Sequence, residues 1–349
     1  MKVLKGTPRH LNKSGQLSGF AYLMLNLPFR CNYRCLKCFN LINNVPITSG
    51  TPIALEEIEQ KIIEAKEMGG KAVVIAGEGE PTLDPNIKRI VFKIDSLGMI
   101  PVVYSNGSTL TPEVAKYYCD HNTSLVIALD SLSERTYDFL TGTKHLLPKV
   151  LKNIETTRKI YLNSIEEKDG FRIVKLAENV TITSINKKEI NDIKKYCGED
   201  VYFVCNPLAC YGNSIANWRS LITGNDDLAS YGEIIKKFSE SGGPLTLNKV
   251  CLCGFSNNGI GISPSGDYMT CAYTSETNGL LGNIRKISLA EAYDQKSMIE
   301  REHYKLHGNV PCLIRDRHFK EYITTLKNKK NPLNNIEIRN KSEKLINIV

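Results

Sequence analysis

The chain lacks any apolar run long enough to cross a bilayer, which excludes a membrane-spanning helix. Its first residues, Met1-Lys2-Val3-Leu4-Lys5-Gly6-Thr7-Pro8, contain no apolar signal core. The expectation is a cytoplasmic protein whose thiols stay reduced. No short-period repeat and no low-complexity segment is present, and there is no aromatic–basic RNA-binding signature. A nucleic-acid partner is therefore not expected, although the net charge is +8. The lysines are spread along the chain and read as a solvated surface. No second C-x-x-C pair lies near the first cysteine group, which counts against a four-ligand zinc site. At 349 residues the chain is too long for a small disulfide-framed domain.

What is present is ordinary globular composition, with 42% hydrophobic and 23% charged residues, enough for one large and one small domain. Eleven cysteines in a reducing compartment point to metal or redox work. Three of them, Cys31, Cys35 and Cys38, form a C-x3-C-x2-C run that fits on one loop. Three thiolates so placed can hold three irons of a [4Fe-4S] cube, where iron–sulfur proteins normally use four cysteines. The fourth iron is left open for chemistry.

Strands and helices alternate through the first two thirds. Strands are expected at 21–27, 72–76, 102–105, 125–129, 180–185 and 202–205. Leu55, Ile58, Ile62 and Ala65 recur at helical spacing before Gly69-Gly70, and helices are also expected over 112–120 and 150–161. Residues 166–170 read as a hairpin or insertion. Repeated βα units imply a parallel sheet with helices outside, here a partial (β/α)6 TIM barrel. In barrels, functional residues sit at the C-terminal ends of strands. There the chain carries the cysteines, Gly77-Glu78-Gly79-Glu80-Pro81, Asn106-Gly107, Asp130-Ser131, Asn186 and Cys205. Gly242-Gly243-Pro244 marks a boundary. Beyond it, 259–262 and 268–271 read as two short strands around Pro264-Ser265-Gly266-Asp267, 289–293 as a helix, and the Lys/Asn-rich chain from about Lys320 as peripheral. The domains expected are 1–241, 242–319 and a charged tail over 320–349.

These motifs resemble those of the radical S-adenosylmethionine (SAM) superfamily, from about Gly19 to Arg317. The resemblance implies that Cys31, Cys35 and Cys38 bind a [4Fe-4S] cluster whose open iron takes SAM. Reductive cleavage of SAM in that family yields a 5′-deoxyadenosyl radical that takes hydrogen from substrate. Gly79-Glu80-Pro81 is similar to the end of the family's Gly-Gly-Glu-Pro motif, with Glu78 replacing the first glycine, and Glu80 would hold the SAM ammonium. Asn106, Asp130 and Ser131 would contact SAM ribose or carboxylate, while Asp130-Ser131 equally suits a helix cap. Position 37, often aromatic in the family, is Lys37, with Phe39 after the last cysteine, a departure that bears on the adenine contact.

The later region resembles an α+β SPASM/Twitch auxiliary-cluster domain, through Cys253, Gly266, Cys271, Gly282-Asn283-Ile284 and Cys312. The resemblance implies a second [4Fe-4S] cluster on Cys253, Cys271 and Cys312. Its fourth ligand is left open between Cys251, Arg315, Asp316 and substrate. Cys205 and Cys210, at the end of the sixth strand, would face the active site, where a thiol can return hydrogen to a substrate radical. The opposing reading is that both are buried packing residues.

The function expected is SAM cleavage and hydrogen abstraction from a small-molecule substrate (a sugar, aminocyclitol or nucleoside), giving epimerisation or dehydrogenation, with flavodoxin or ferredoxin as reductant. The alternatives are a peptide-modifying maturase and, third, an RNA-modifying iron–sulfur protein. Cys312→Ala is expected to lower the iron content by about four per chain; unchanged iron excludes the second cluster at that residue.

Overall fold

The computed structural model describes residues 1–12, 19–28, 30–42, 45–46, 50–209, 211–222, 231, 234, 237–240, 257–271, 280–307 and 317–328. The chain opens with β1 (Lys2–Leu4) and α1 (Pro8–Leu11). The first βα units follow as β2 (Tyr22–Leu25), a small hairpin β3 (Leu41–Ile42) and β4 (Val45–Pro46), α2 (Leu55–Glu67), β5 (Ala72–Ile75) and α3 (Ile87–Ser96). Next come β6 (Ile100–Ser105), α4 (Pro112–Asp120), β7 (Ser124–Ala128), α5 (Glu134–Thr141) and α6 (Leu147–Tyr161). Then come β8 (Glu166–Lys168), β9 (Phe171–Val174), β10 (Leu176–Ile182), α7 (Ile190–Cys197), β11 (Tyr202–Pro207), α8 (Asn213–Ala216) and α9 (Trp218–Leu221). The described chain closes with β12 (Gly259–Ile262), β13 (Tyr268–Met269), α10 (Leu289–His307) and α11 (Arg317–Lys327).

Local chemistry explains the helix limits. The Thr111 hydroxyl accepts from Val114 N and Pro112 opens α4. α5 ends at Gly142 in the left-handed conformation. Ile58, Ile62 and Ala65 form the buried face of α2, and Val150, Ile154, Thr157 and Tyr161 that of α6.

One eight-stranded sheet has the order β11-β10-β7-β6-β5-β2-β12-β13. Every pairing in it is parallel except β12 with β13. The six expected strands are all there, each beside its predecessor, as a partial barrel requires. Alternate residues divide the sheet into two faces. Leu23, Ile75, Val103, Ile127, Val180 and Phe203 pack among the helices. Tyr22, Val74, Val102, Val126, Ala177 and Tyr202 share a second cluster, so strands several positions apart meet on a concave inner face. A three-stranded sheet, β1-β9-β8, adds Leu4 and Val174 to that inner cluster. The Ser124 hydroxyl donates to Lys5 O (2.8 Å), which puts this sheet at the N-terminal end of the barrel. The expected insertion at 166–170 is its β8–β9 hairpin, turned by Asp169 (φ 54°) and Gly170 (φ 74°), the pair of positive dihedrals a two-residue hairpin turn needs.

Three details differ from the sequence expectation. β12, read with the later region, continues the barrel sheet by pairing with β2, Gly259 opposite Tyr22. The helix expected over 289–293 runs on to His307, because Ala292 and Ile299 keep an apolar stripe inward. The chain after Lys320 is not peripheral throughout, since Ile323 and Leu326 of α11 are buried at i, i+3 spacing that the Lys-rich composition conceals. The Gly242-Gly243-Pro244 boundary lies outside the described residues.

Candidate active site

At the C-terminal ends of β2, β5, β6, β7 and β10 the inner face opens into one cavity. The cysteine loop that follows β2 is held from three directions by its own backbone. Arg34 N donates to Thr141 O (3.1 Å) and Leu36 N to Leu140 O (3.0 Å), at the end of α5. Asn213 N donates to Cys38 O (2.8 Å), and the Asn213 amide to Cys35 O (3.2 Å). Glu80 N donates to Arg30 O (2.6 Å). Each direction ends on a glycine with positive φ: Gly79 (144°), Gly142 (65°) and Gly212 (59°). A Cβ on Gly79 would lie 2.5 Å from Arg30 O, and one on Gly212 2.5 Å from Cys38 O and Phe39 O; one on Gly142 would collide with Arg34 O. Only glycine permits both the dihedral and the approach.

Cys31, Cys35 and Cys38 all line the cavity. Burial pushes all three thiols up, Cys38 to about 11, so the bare side chains are neutral at pH 7. A thiolate there needs a cation beside it. Three soft donors on one loop, with no imidazole among the described lining residues, fit an iron–sulfur cluster better than a hard cation.

Gly79, Glu80 and Pro81 line the cavity next to the cysteines. The buried Glu80 carboxylate is pushed up by desolvation and drawn back by four donors. Oε1 accepts from Thr82 N (3.2 Å), the Thr82 hydroxyl (2.5 Å) and Ser105 (2.8 Å), while Oε2 accepts from Asn106 N (2.6 Å). Three of the four donors crowd Oε1 and only Asn106 N reaches Oε2, so Oε2 is the oxygen with acceptor capacity toward a ligand cation. The Asn106 amide donates to Asn32 Oδ1 (3.0 Å), and Asn32 donates to Ser108 (2.9 Å), tying the β6 loop to the cysteine loop. Asp130 Oδ1 accepts from Lys37 Nζ (2.6 Å) and Thr181 N (2.9 Å). Lys37 also donates to the Thr181 hydroxyl (2.9 Å), joining the middle of the cysteine loop to β7 and β10.

The other expected site residues fall differently. Phe39 lines the cavity. Ser131 is not among the lining residues; its hydroxyl donates to Glu189 Oε2 (2.5 Å) and accepts from Ser133 N (2.9 Å), a buried local turn. Asn186 is likewise structural, donating to Asp130 O (2.9 Å) and Thr181 O (3.0 Å). Cys205 does not face the active site. Its neighbours Val204 and Asn206 take the inner face, so alternation turns Cys205 into the helix-side core, fully buried. Cys271 is buried just beyond β13. Cys210, Cys251, Cys253, Cys312, Arg315 and Asp316 lie outside the described residues. Sequence reasoning missed Asn179, Thr181 and Tyr137, which also line the cavity; inward alternation along β10 was the signal for the first two.

Residues 25–169 match the Radical SAM superfamily. They are a radical SAM domain. It contains the cysteine loop, the Gly77–Pro81 turn, Asn106 and Asp130, while β10, β11 and everything after them lie beyond the match. GTP 3′,8-cyclase of Mannheimia succiniciproducens is 26% identical over 179 residues, 51% of this chain and 50% of the relative. The probable GTP 3′,8-cyclase of Pyrococcus abyssi is 29% identical over 180 residues, 51% and 53% respectively. The chain thus spans about half the length of the curated relatives it matches. Among solved structures, Streptococcus suis SuiB bound to S-adenosylmethionine superposes with TM-score 0.61 at 15% identity, over 93% of this chain and 77% of that one. anSMEcpe with bound AdoMet gives 0.54 at 14%, over 92% and 99%. These likenesses are of fold.

Gly142→Ala, within the radical SAM domain, or Gly212→Ala, beyond it, is expected to displace the cysteine loop and lower iron retention after anaerobic reconstitution. The cost in stability is about 1–3 kcal/mol, since each forces a β-carbon into a left-handed position. Gly19→Ala, at a positive φ of 70° where a Cβ meets nothing, is the control that carries the dihedral strain without the collision and is expected to leave iron retention unchanged. Glu78 is buried beside this turn, and desolvation pushes its carboxyl up to about 8 from 4.5. The folded apo-protein therefore binds a proton that the unfolded chain has already lost, so stability falls as pH rises from about 5 to 8. Glu78→Gln is expected to flatten that fall in thermal melts; an unchanged slope refutes it.

Proposed function

We propose that the chain is a radical SAM enzyme that takes hydrogen from a small-molecule substrate, a sugar, aminocyclitol or nucleoside, with epimerisation or dehydrogenation as the outcome. The observation that carries this reading is the convergence of Cys31, Cys35, Cys38, Glu80, Asn106 and Asp130 on one cavity at the C-terminal end of the sheet. Cys31, Cys35 and Cys38 would hold the [4Fe-4S] cluster. Bound there with SAM, the cluster supplies an electron for reductive cleavage to a 5′-deoxyadenosyl radical.

The chain's own groups orient and shield. Glu80 Oε2 accepts from the SAM ammonium, and Gly79 and Pro81 let backbone approach. Asn106, Asp130 and Phe39 border the remainder of SAM. Val126, Ala128 and Tyr104 form an apolar floor that keeps water from a reactive centre. A second cluster on Cys253, Cys271 and Cys312, completed by Cys251 or Arg315, would accept an electron and favour dehydrogenation. With Cys205 turned outward, inversion rests on Cys210 as hydrogen donor. Reductant would come from flavodoxin or ferredoxin.

The curated relatives favour a second reading within the same chemistry. They are named for cyclising GTP, which makes a nucleotide the competing substrate and ring closure the competing outcome. The peptide-maturase reading has the fold likeness to SuiB behind it, and fold alone does not choose a substrate.

The test is anaerobic reconstitution, an iron and sulfide count, then SAM with dithionite. The expected outcome is 5′-deoxyadenosine with about four irons for one cluster or about eight for two. Zinc in place of iron, or no cleavage, refutes the reading. In deuterium oxide an inverted product carries solvent deuterium and an oxidised one does not; conversion of GTP to a cyclised product would establish the second reading instead.

A further inference from the structure

The part of the cavity wall built by β10, with β11 paired behind it, lies outside the radical SAM match, and its Asn179 amide does not belong to the SAM-binding set above. Asn179 and Thr181 alternate inward on β10 and line the cavity. The parallel register sets Asn206 of β11 beside Thr181. Asn206 Nδ2 donates to Asn179 Oδ1 at 2.7 Å. Both side chains are half-buried, and among the described residues neither amide has another partner. Asn179 keeps two free N–H groups, and Asn206 keeps one N–H and its carbonyl oxygen. Amides spared from protein partners inside a partly buried cavity must be satisfied by water or ligand.

The charge around them is balanced. Among the described residues lining the cavity the charged side chains are Lys37, Asp130 and Glu80, and Lys37 sits on Asp130 at 2.6 Å. A polyphosphate in this cavity would meet two carboxylates and a cation already engaged. A hydroxyl, in contrast, both donates and accepts, so it matches either end of either amide.

We propose that Asn179 on the cavity wall, with Asn206 bonded to it on the same inner face, determines specificity, and that the pair selects an uncharged polyhydroxylated ring over a polyphosphorylated one. This rests on the radical SAM reading above and narrows its substrate class. The amide pair binds adjacent ring hydroxyls, which fixes which ring carbon faces the SAM end of the cavity. The curated GTP-named relatives would then share the SAM-binding half and differ here.

The experiment is saturation-transfer difference NMR on the reconstituted, SAM-loaded full chain, with myo-inositol, N-acetylglucosamine, guanosine and GTP as probes. At least one uncharged probe is expected to receive saturation and to be displaced less by GTP than by itself. The Asn179→Ala, Asn206→Ala double variant is expected to weaken that probe about tenfold or more, the loss of two hydrogen bonds. Asn206→Asp, which keeps the shape and removes the N–H donors, is expected to weaken it in the same direction and serves if the double variant fails to fold. The proposal is overturned if no uncharged probe binds, if GTP binds more tightly than all of them, or if the variants bind unchanged. SAM cleavage without any probe is read in parallel. Cleavage retained with no probe bound breaks this assignment alone, whereas loss of cleavage in the unaltered chain breaks the reading beneath it.

Discussion

The contact on which the site depends is backbone against backbone: Gly79, Gly142 and Gly212 lie where a single methyl group would strike carbonyls of the cysteine loop. Ordering a loop residue costs about 1–2 kcal/mol of conformational entropy, and a hydrogen bond returns about 1 kcal/mol. The loop has few apolar side chains to bury. Its amides and carbonyls are instead paired with the end of α5, the start of α8 and the turn after β5. Because those three elements come from distant parts of the chain, the thiols acquire their arrangement only once the barrel is assembled.

That assembly creates an electrostatic problem at the same place. Burial raises the thiols, Glu80 and Glu78 together, and Lys37, the cation among the described lining residues, is committed to Asp130. Carboxylates and thiolates so crowded are costly without positive charge from outside the chain. An iron–sulfur cluster and a cationic cofactor are ligands of the sign the site requires. The Lys37–Asp130 pair has a different effect. It stands where an aromatic residue is common in the family and ties the cysteine loop to two strands through one buried ion pair. Desolvation offsets most of what such a pair gains on forming, so its worth is more in positioning the loop, although breaking it would leave a costly uncompensated charge.

The strand period decides which residues can take part in chemistry. On β10, Asn179 and Thr181 face the cavity while Glu178 and Val180 do not; on β11 the same alternation gives Asn206 to the inner face and Cys205 to the helices. A thiol at the end of a barrel strand is thus no more than a candidate until its parity is known, since one residue reverses its face. The later segment obeys the same geometry: β12 pairs with β2, so the chain after residue 258 continues the sheet that carries the cysteine loop.

Local chemistry was written plainly in the sequence. The three cysteines at fixed spacing, the helix bounded by Thr111, Pro112 and Asp120, and the six βα units needed no long-range information, because spacing, capping and hydrophobic period act within a few residues. The Gly-Glu-Pro turn was legible for the same reason. Only the tertiary structure decided the rest. The Lys37–Asp130 pair joins residues 93 apart, and Asn213 reaches Cys35 across 178. The parity that turns Asn206 inward and Cys205 outward depends on where β11 begins. Such facts rest on strand register and on which loops meet at the barrel mouth. Both come from packing the whole chain, and no short stretch of residues contains them.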